Sequence, residues 1–258
     1  FAVAAIVLAV AGFAPGQSFA ALFQGALGRP KYIANVIIKA TPILLTGVAV
    51  AFAYKTGLFN IGAEGQYIAG TIAATIVGVI FDFPVPIQIL LVVVSGALAG
   101  ALLGAFIGFL KARFGIHEVI TSIMTNWIML YLCNFIVSTD AFHKPNSTSA
   151  IPINPSGYTM VLPNWKRSEA GIEFLNNIPW LKDVLLKTDL NFGFLIAVAV
   201  AILAGILLAR TKLGYELRAV GNNRDAAHFA GINVEKNIIL AMLISGMFCG
   251  LAGALNIP

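Results

Sequence analysis

Residues 87–110, IQILLVVVSGALAGALLGAFIGFL, form one apolar run without a charged side chain. A helix that crosses a membrane needs about 20 mostly apolar residues. Lipid offers backbone groups no hydrogen-bond partner, so a run of this length predicts a membrane-spanning helix. The run lacks the alternation of polar and apolar residues that a transmembrane β-barrel strand would show.

Further runs of similar character lie on both sides of this one, and polar breaks separate them. They are residues 1–15, 32–53, 60–81, 117–138, 191–209 and 237–256. The sequence therefore predicts an all-α, polytopic membrane bundle with about seven spanning segments, in a single transmembrane domain over residues 1–258. Both ends of the chain lie in or beside apolar runs, which predicts a fragment of a larger membrane domain.

The composition excludes several classes of protein. The chain is 59% hydrophobic and 10% charged, whereas an average globular domain is about 25% charged. Such a chain cannot cover a water-soluble surface, which argues against a soluble enzyme, a nucleic-acid-binding protein and a disordered chain. Cys133 and Cys249 both lie inside apolar runs, so we interpret them as packed thiols and not as a disulfide.

The distribution of Lys and Arg predicts the orientation in the membrane. Two breaks are long, at residues 139–190 and 210–236. If the second is cytoplasmic, alternation of the spans places eight basic residues on that side, as the positive-inside rule requires. They are Lys55, Lys111, Arg113, Arg210, Lys212, Arg218, Arg224 and Lys236. Residues 139–190 then form an external loop.

Two apolar runs share the pattern S-G-x-x-x-G, at residues 95–100 and 245–250. Small residues four apart let helix backbones approach closely. The pattern is compatible with a repeated structural unit. It is also compatible with chance in a chain that contains 25 glycines, and we favour chance.

Motifs for covalent chemistry are missing from the sequence. No G-x-x-x-x-G-K-[ST] phosphate loop and no G-x-S-x-G nucleophile motif occur. His117-Glu118 begins like H-E-x-x-H, but the fifth position is Thr121. We therefore expect neither an enzyme nor a metal site or cofactor on this chain.

Polar residues open the third run, in the stretch Asn60-Ile-Gly-Ala-Glu64-Gly-Gln. Asn60 is a suitable helix N-cap, and Glu64 in a first turn suits the positive end of the helix dipole. Gly62 and Gly65 permit either close helix approach or a broken helix at membrane depth.

A polar stripe marks the fifth run. At 100° per residue its members fall within an arc of roughly 140°. They are Glu118, Thr121, Ser122, Thr125, Asn126 and Cys133. Such a stripe faces either a route for a polar solute or hydrogen-bonding partners on neighbouring helices. Trp127 lies deeper than the usual aromatic belt and could stack on a flat ring.

The break at residues 210–236 contains the strongest local signal. Asn223 is placed to cap a short helix that starts at Arg224, and Gly231 is placed to end it. Phe229 would project from this helix as an apolar side chain. The segment suits docking into a groove of another protein, and it is equally compatible with a solvated amphipathic linker.

Four stretches resemble the permease subunits of ABC importers, in the branched-chain amino acid, ribose and nucleoside permease family. D-A-A-x-x-x-G at 225–231 is similar to the E-A-A-x-x-x-G loop of importer permeases, with Asp225 in place of the usual Glu. G-Y-E-L-R-A-V-G-x-N at 214–223 resembles the same family. Residues 57–66 and 117–127 resemble its nucleoside-type branch.

The resemblance implies a function and a set of partners. Residues 210–236 would be the cytoplasmic loop that couples a separate ATPase subunit, which binds the ATP, to the permease. A second permease subunit and an external solute-binding protein would complete an importer in the plasma membrane of a prokaryote. A secondary transporter or channel driven by an ion gradient is the alternative.

The residues implied in these roles form two sets. The coupling set is Asn223, Arg224, Asp225, Ala226, Ala227 and Gly231. The translocation-path set is Asn60, Glu64, Glu118, Ser122, Thr125, Asn126 and Trp127.

Overall fold

A computed structural model describes residues 1–145, 147, 150–159, 165–188 and 190–256, and the helices below are those of this part of the chain. The all-α prediction is confirmed. The helices are α1 Ala2–Val10, α2 Pro15–Leu27, α3 Pro30–Tyr54, α4 Ala63–Ile80, α5 Val85–Phe114, α6 Glu118–Val137, α7 Glu169–Asn176, α8 Pro179–Lys187, α9 Gly193–Arg210, α10 Lys212–Asn222, α11 Arg224–Phe229 and α12 Val234–Leu255. Single 3₁₀ turns occupy Pro155–Gly157 and Trp165–Arg167.

Six of these helices, α3, α4, α5, α6, α9 and α12, are long and apolar enough to cross a membrane, counted over the described residues. They correspond to six of the seven predicted spans. Residues 1–15 do not form one continuous helix, which corrects the seventh. Gly12 has a φ of +81°, and Ala14 is extended before Pro15, which begins α2. The left-handed Gly12, just after the C-cap Ala11, ends α1. Ala14 is extended because the residue before a proline is disfavoured in a helix.

The chain divides into two compact units. The first unit contains residues 1–40 and 160–191, and the second contains residues 41–159 and 192–258. In the first unit, Lys187 Nζ lies 2.6 Å from Asp183 Oδ1. This hydrogen bond holds the pKa of the Asp183 carboxyl below its usual value.

Glycines hold α5 and α12 together at the centre of the second unit. A β-carbon on Gly96 would lie 2.6 Å from Ala254 Cβ, and one on Gly100 would lie 2.6 Å from Gly250 Cα. A β-carbon on Gly104 would lie 3.1 Å from Gly246 Cα. Residue numbers rise along α5 while those of the contacting residues on α12 fall, so the two helices are antiparallel. The two S-G-x-x-x-G stretches therefore lie against each other.

Helix α4 packs against the same pair of helices. Gly70 lies against Gly250, because a β-carbon there would be 2.5 Å from Gly250 Cα. An apolar core continues toward one end of the unit, where the rings of Phe52 and Phe248 meet edge to face at 5.8 Å. Cys249 is buried in this core as a free thiol, as predicted.

The two ends of the second unit carry different segments. At the far end of α4, Asn154 Nδ2 donates to the carbonyl oxygens of Val79 at 3.2 Å and Phe81 at 3.0 Å. This part of the predicted external loop is thereby tied to the bundle. Helices α10 and α11 lie at the opposite end, beside the turn at residues 55–57.

Candidate functional site

Helix α11 is a short helix with a defined start and end. Asn223 Oδ1 accepts a hydrogen bond from the Ala226 N–H at 3.0 Å, so Asn223 is the N-cap, as predicted. Gly231 follows the helix with a φ of +80°. Glycine adopts this left-handed conformation without steric penalty. The prediction of a short helix between Asn223 and Gly231 is confirmed.

The two faces of α11 differ in burial. Ala227 is 4% exposed and belongs to the apolar core of the second unit. Phe229 is 90% exposed, and Arg224, Asp225 and Ala226 are also exposed. The helix is therefore fixed on one side and presents an aromatic ring and small side chains on the other. Such a surface can enter a groove on a partner protein.

Helix α10 joins α11 to the rest of the second unit. Thr211 Oγ1 accepts from the Gly214 N–H at 3.0 Å and caps the helix. At its other end, a β-carbon on Gly221 would lie 3.0 Å from the carbonyl carbon of Lys55. Gly57, with a φ of +71°, lies against Gly221 from the opposite side. The end of α10 and the turn after α3 thus meet backbone to backbone.

A buried ion pair lies next to this junction. Lys111 Nζ is 2.7 Å from Glu118 Oε2, and Glu118 is only 6% exposed. Glu118 also lines a cavity of about 390 Å³ together with Lys55 and Gly221. The pair joins the end of α5 to the start of α6, so the charge of Glu118 is balanced within this end of the bundle.

Helix α4 begins inside the bundle and not at its end. Its N-cap is Gly62, where a β-carbon would lie 3.0 Å from Ile107 Cδ1 and 3.1 Å from Ser122 Oγ. At 1.5 Å per residue, Ile107 is about 10 Å before the end of α5, and Ser122 is about 6 Å past the start of α6. Residues 58–62 are therefore irregular backbone at membrane depth, as the glycines allowed. Such backbone must be buried in protein or line a cavity.

Asn126 of α6 satisfies the backbone at this internal helix start. Its Oδ1 accepts from the Gly65 N–H at 2.8 Å, and its Nδ2 donates to the Ile61 carbonyl oxygen at 3.1 Å. Gly65 has no room for a side chain, because a β-carbon there would lie 2.7 Å from Asn126 Oδ1. Of the two alternatives for the polar stripe, Asn126 therefore shows hydrogen bonding to a neighbouring segment.

Glu64 and Trp127 lie on either side of this contact. Together with Ile123, Asn126 and Leu130 they line a cavity of about 220 Å³ between α4 and α6. Glu64 is in the first turn of α4, as predicted. Trp127 is 56% exposed, and its ring stacks on Tyr131 at 6.1 Å and 28°.

The remaining residues of the predicted path are buried. Thr125 Oγ1 donates to the carbonyl oxygens of Thr121 and Ser122, both at 3.0 Å, within its own helix. Ser122 Oγ is buried and has no hydrogen-bond partner among the described residues. With Glu118 and Thr121 they form the buried face of α6.

Asn60 is not the N-cap of α4, which corrects that prediction. Its Nδ2 donates to Gln66 Oε1 at 2.8 Å and to Ser245 Oγ at 2.7 Å, and Ser245 Oγ donates to the Ala49 carbonyl oxygen at 2.7 Å. This network joins α3, α4 and α12 through a buried amide. Neither Gln66 nor Ser245 was predicted to belong to this network, although polar residues inside apolar runs were the available signal.

Among the described residues, no three His, Cys, Asp or Glu side chains lie close enough together to hold a metal ion. The architecture is that of a multi-pass membrane permease. It has a short helix projecting at one end, a helix that begins at membrane depth, and a cavity of mixed polar and apolar lining beside that start.

Comparison with known proteins gives the family. Residues 32–258 match the family described as the permease component of branched-chain amino acid transport systems, and the chain belongs to it. It is thus a multi-pass protein of the prokaryotic plasma (inner) membrane. No solved structure gives a significant match.

Similar proteins are ABC transporter permeases. The guanosine ABC transporter permease protein NupP of Bacillus subtilis (strain 168) is 39% identical over 99% of this chain and 68% of its own length. The nucleoside ABC transporter permease protein NupB of Lactococcus lactis subsp. cremoris is 34% identical over 98% of this chain and 66% of its own. The probable riboflavin import permease protein RfuC of Treponema pallidum is 23% identical over 99% of this chain and 63% of its own length. The chain spans about two thirds of these relatives' length.

Proposed function

We propose that this chain is the membrane-spanning subunit of an ATP-driven ABC importer for a nucleoside or a related ribose-bearing compound. The observation that carries the proposal is α11, which is anchored through Ala227 and presents Phe229 outward. The substrate class follows from the two relatives whose names specify guanosine and nucleosides.

The proposed importer has three partners for this chain. An ATPase subunit binds and hydrolyses ATP, a second permease subunit completes the membrane part, and an external solute-binding protein delivers the substrate. The permease itself needs no cofactor and catalyses no reaction. Nucleotide shifts the transporter between two conformations because it binds them with different affinity.

The predicted coupling residues have distinct roles in this mechanism. Asn223 and Gly231 fix the ends of α11, Ala227 anchors it, and Arg224, Asp225 and Ala226 face the ATPase. Motion of the ATPase would pass as a rigid-body displacement through the contact of Gly221 with Lys55. The turn after α3 would then move together with the docking helix.

The predicted path residues line the route of the solute near the start of α4. Glu64, Asn126 and Trp127 reach the cavity there. Glu118 and Asn60 hold the helices around it, through the ion pair with Lys111 and the network with Ser245. Ser122 and Thr125 belong to the buried face of α6. An ion-driven transporter would need paired acidic groups at mid-membrane, and Glu118 is already bound to Lys111, which disfavours this alternative.

Uptake measurements test the proposal. Cells that lack their own nucleoside transporters would express the full-length permease with its second permease subunit, its ATPase and its solute-binding protein, and receive radiolabelled guanosine. We expect uptake that requires cellular ATP and persists when an ionophore collapses the ion gradients. Uptake that the ionophore abolishes at normal ATP would contradict an ABC importer, and uptake of amino acids but not guanosine would contradict the substrate class.

A further inference from the structure

The cavity between α4 and α6 combines a carboxylate, an indole face and an apolar floor. We propose that this cavity is a substrate-recognition subsite, in which Trp127 stacks on the nucleobase and Glu64 accepts hydrogen bonds from the ribose hydroxyls. The inference rests on the proposed function, since it assigns parts of a nucleoside to particular side chains of the path.

Glu64 supplies an acceptor at membrane depth. Its neighbour Gly65 is held by Asn126, which lies about 12 Å past the start of α6 at 1.5 Å per residue. Glu64 is exposed within this unit and has no ion pair among the described residues. A charged group inside a membrane is costly and faces a polar path or a ligand. The described residues make no hydrogen bond or ion pair to the Glu64 carboxylate, so both of its oxygens are available to solute hydroxyls.

Trp127 supplies a flat apolar surface at the same depth. It lies at the midpoint of α6, which runs from Glu118 to Val137, so it is not part of an interfacial aromatic belt. One side of its ring lies against Tyr131, with the ring centroids 6.1 Å apart. An aromatic face binds nucleobases of every kind, because each base has a π-face.

The size of the cavity fits one side of a nucleoside. Its volume is about 220 Å³, below the range of about 300–1,000 Å³ for pockets that enclose a drug-sized ligand. Ile123 and Leu130 form the apolar part of its lining and Asn126 the polar part. The base would rest between Trp127 and these apolar side chains, with the ribose directed toward Glu64.

Two substrates that differ only in the ribose hydroxyls test the role of Glu64. The assay is initial uptake of guanosine and of 2′,3′-dideoxyguanosine by the assembled transporter with the full-length permease. The same solute-binding protein serves every variant, so a change in the ratio of the two rates belongs to the permease. The matched control for Glu64→Gln is Glu235→Gln, another exposed glutamate in the first turn of a helix.

For Glu64→Gln we expect guanosine uptake to fall about tenfold while dideoxyguanosine uptake changes little, which removes the preference for the diol. Glu235→Gln should keep the wild-type ratio. For Trp127→Leu we expect the KM to rise about tenfold for both substrates, as loss of base stacking predicts. Trp127→Phe should restore most of the affinity, and Met124→Leu on the exposed side of α6 should resemble the wild type.

The opposite results separate the two proposals. Wild-type guanosine uptake with an unchanged substrate ratio in Glu64→Gln and an unchanged KM in Trp127→Leu would overturn the subsite and leave the importer. An equal loss of both substrates in Glu64→Gln would assign Glu64 a structural role and also overturn it. Absence of guanosine uptake by the wild type would overturn the proposed function, and the subsite with it.

If a variant is not inserted, cysteine labelling provides a second measurement. Ile123→Cys in a Cys133→Ser background would react with a membrane-permeant maleimide. We expect guanosine, added with the solute-binding protein and ATP, to slow the labelling several-fold. Labelling at the same rate with and without guanosine would count against the subsite.

Discussion

Replacing Gly100 with alanine should force α5 and α12 apart. The new β-carbon would lie 2.6 Å from Gly250 Cα and would overlap the carbonyl oxygen of Gly246. Non-bonded carbon atoms prefer a separation of about 3.5–4.0 Å. The obstacle is backbone and not a flexible side chain, so the two helices must separate locally by about 1 Å.

The cost follows from what this separation disrupts. Overpacking in a well-packed core destabilises a protein by about 1–3 kcal/mol. Gly96 and Gly104 make similar contacts one turn to either side, so the strain cannot be relieved by a small local shift. For a protein of this size, about 1 kcal/mol lowers Tm by about 2–4 °C. We therefore expect Gly100→Ala to lower Tm by about 2–12 °C.

The assay is thermal unfolding of the purified protein in detergent, with Gly205→Ala as the matched control. Gly205 lies inside α9, and a β-carbon there would meet nothing within 4 Å. Alanine is favoured over glycine in a helix by up to about 1 kcal/mol, so this variant should be as stable as the wild type or more so. Equal Tm values for Gly100→Ala and Gly205→Ala would refute the close α5–α12 contact.

Three further substitutions test other parts of the structure. Lys111→Met should lower stability by about 3–5 kcal/mol, because the buried Glu118 loses the charge 2.7 Å away and keeps only His117 Nδ1 at 3.7 Å; denaturation in detergent measures this, and adding Glu118→Gln should recover most of the loss. Asn126→Leu leaves the Gly65 N–H unsatisfied and should cost about 1–3 kcal/mol in the same assay, so a wild-type transition would exclude Asn126 as a cap. Gly231→Val should weaken binding of the ATPase through strain at a positive φ, measured by co-purification, whereas Gly231→Asn should retain most of it.

The spanning helices could be predicted from the sequence because their signal is local. A run of apolar residues fixes a membrane helix by its length alone, and residues 87–110 accordingly lie inside α5, Val85–Phe114. Helix α11 was predictable for the same reason. Asn223 and Gly231 act on backbone groups within a few residues of themselves.

The start of α4 could not be predicted, because its partners are distant in the sequence. Asn60 has the chemistry of an N-cap, but Ser245, 185 residues away, competes for its amide. The backbone at the helix start is satisfied instead by Asn126, from another helix. The pairing of the two S-G-x-x-x-G stretches likewise depends on which helices are neighbours, and the pattern alone is equally compatible with chance.

Phe229→Asp tests most directly the claim that α11 is the docking element for an ATPase. Phe229 is 90% exposed, so the substitution should leave the Tm unchanged. It should abolish both co-purification of the ATPase subunit and ATP-driven uptake. Phe83→Asp, on an exposed ring between α4 and α5, is the matched control and should retain both. Normal ATPase binding and uptake by a folded Phe229→Asp protein would contradict the account.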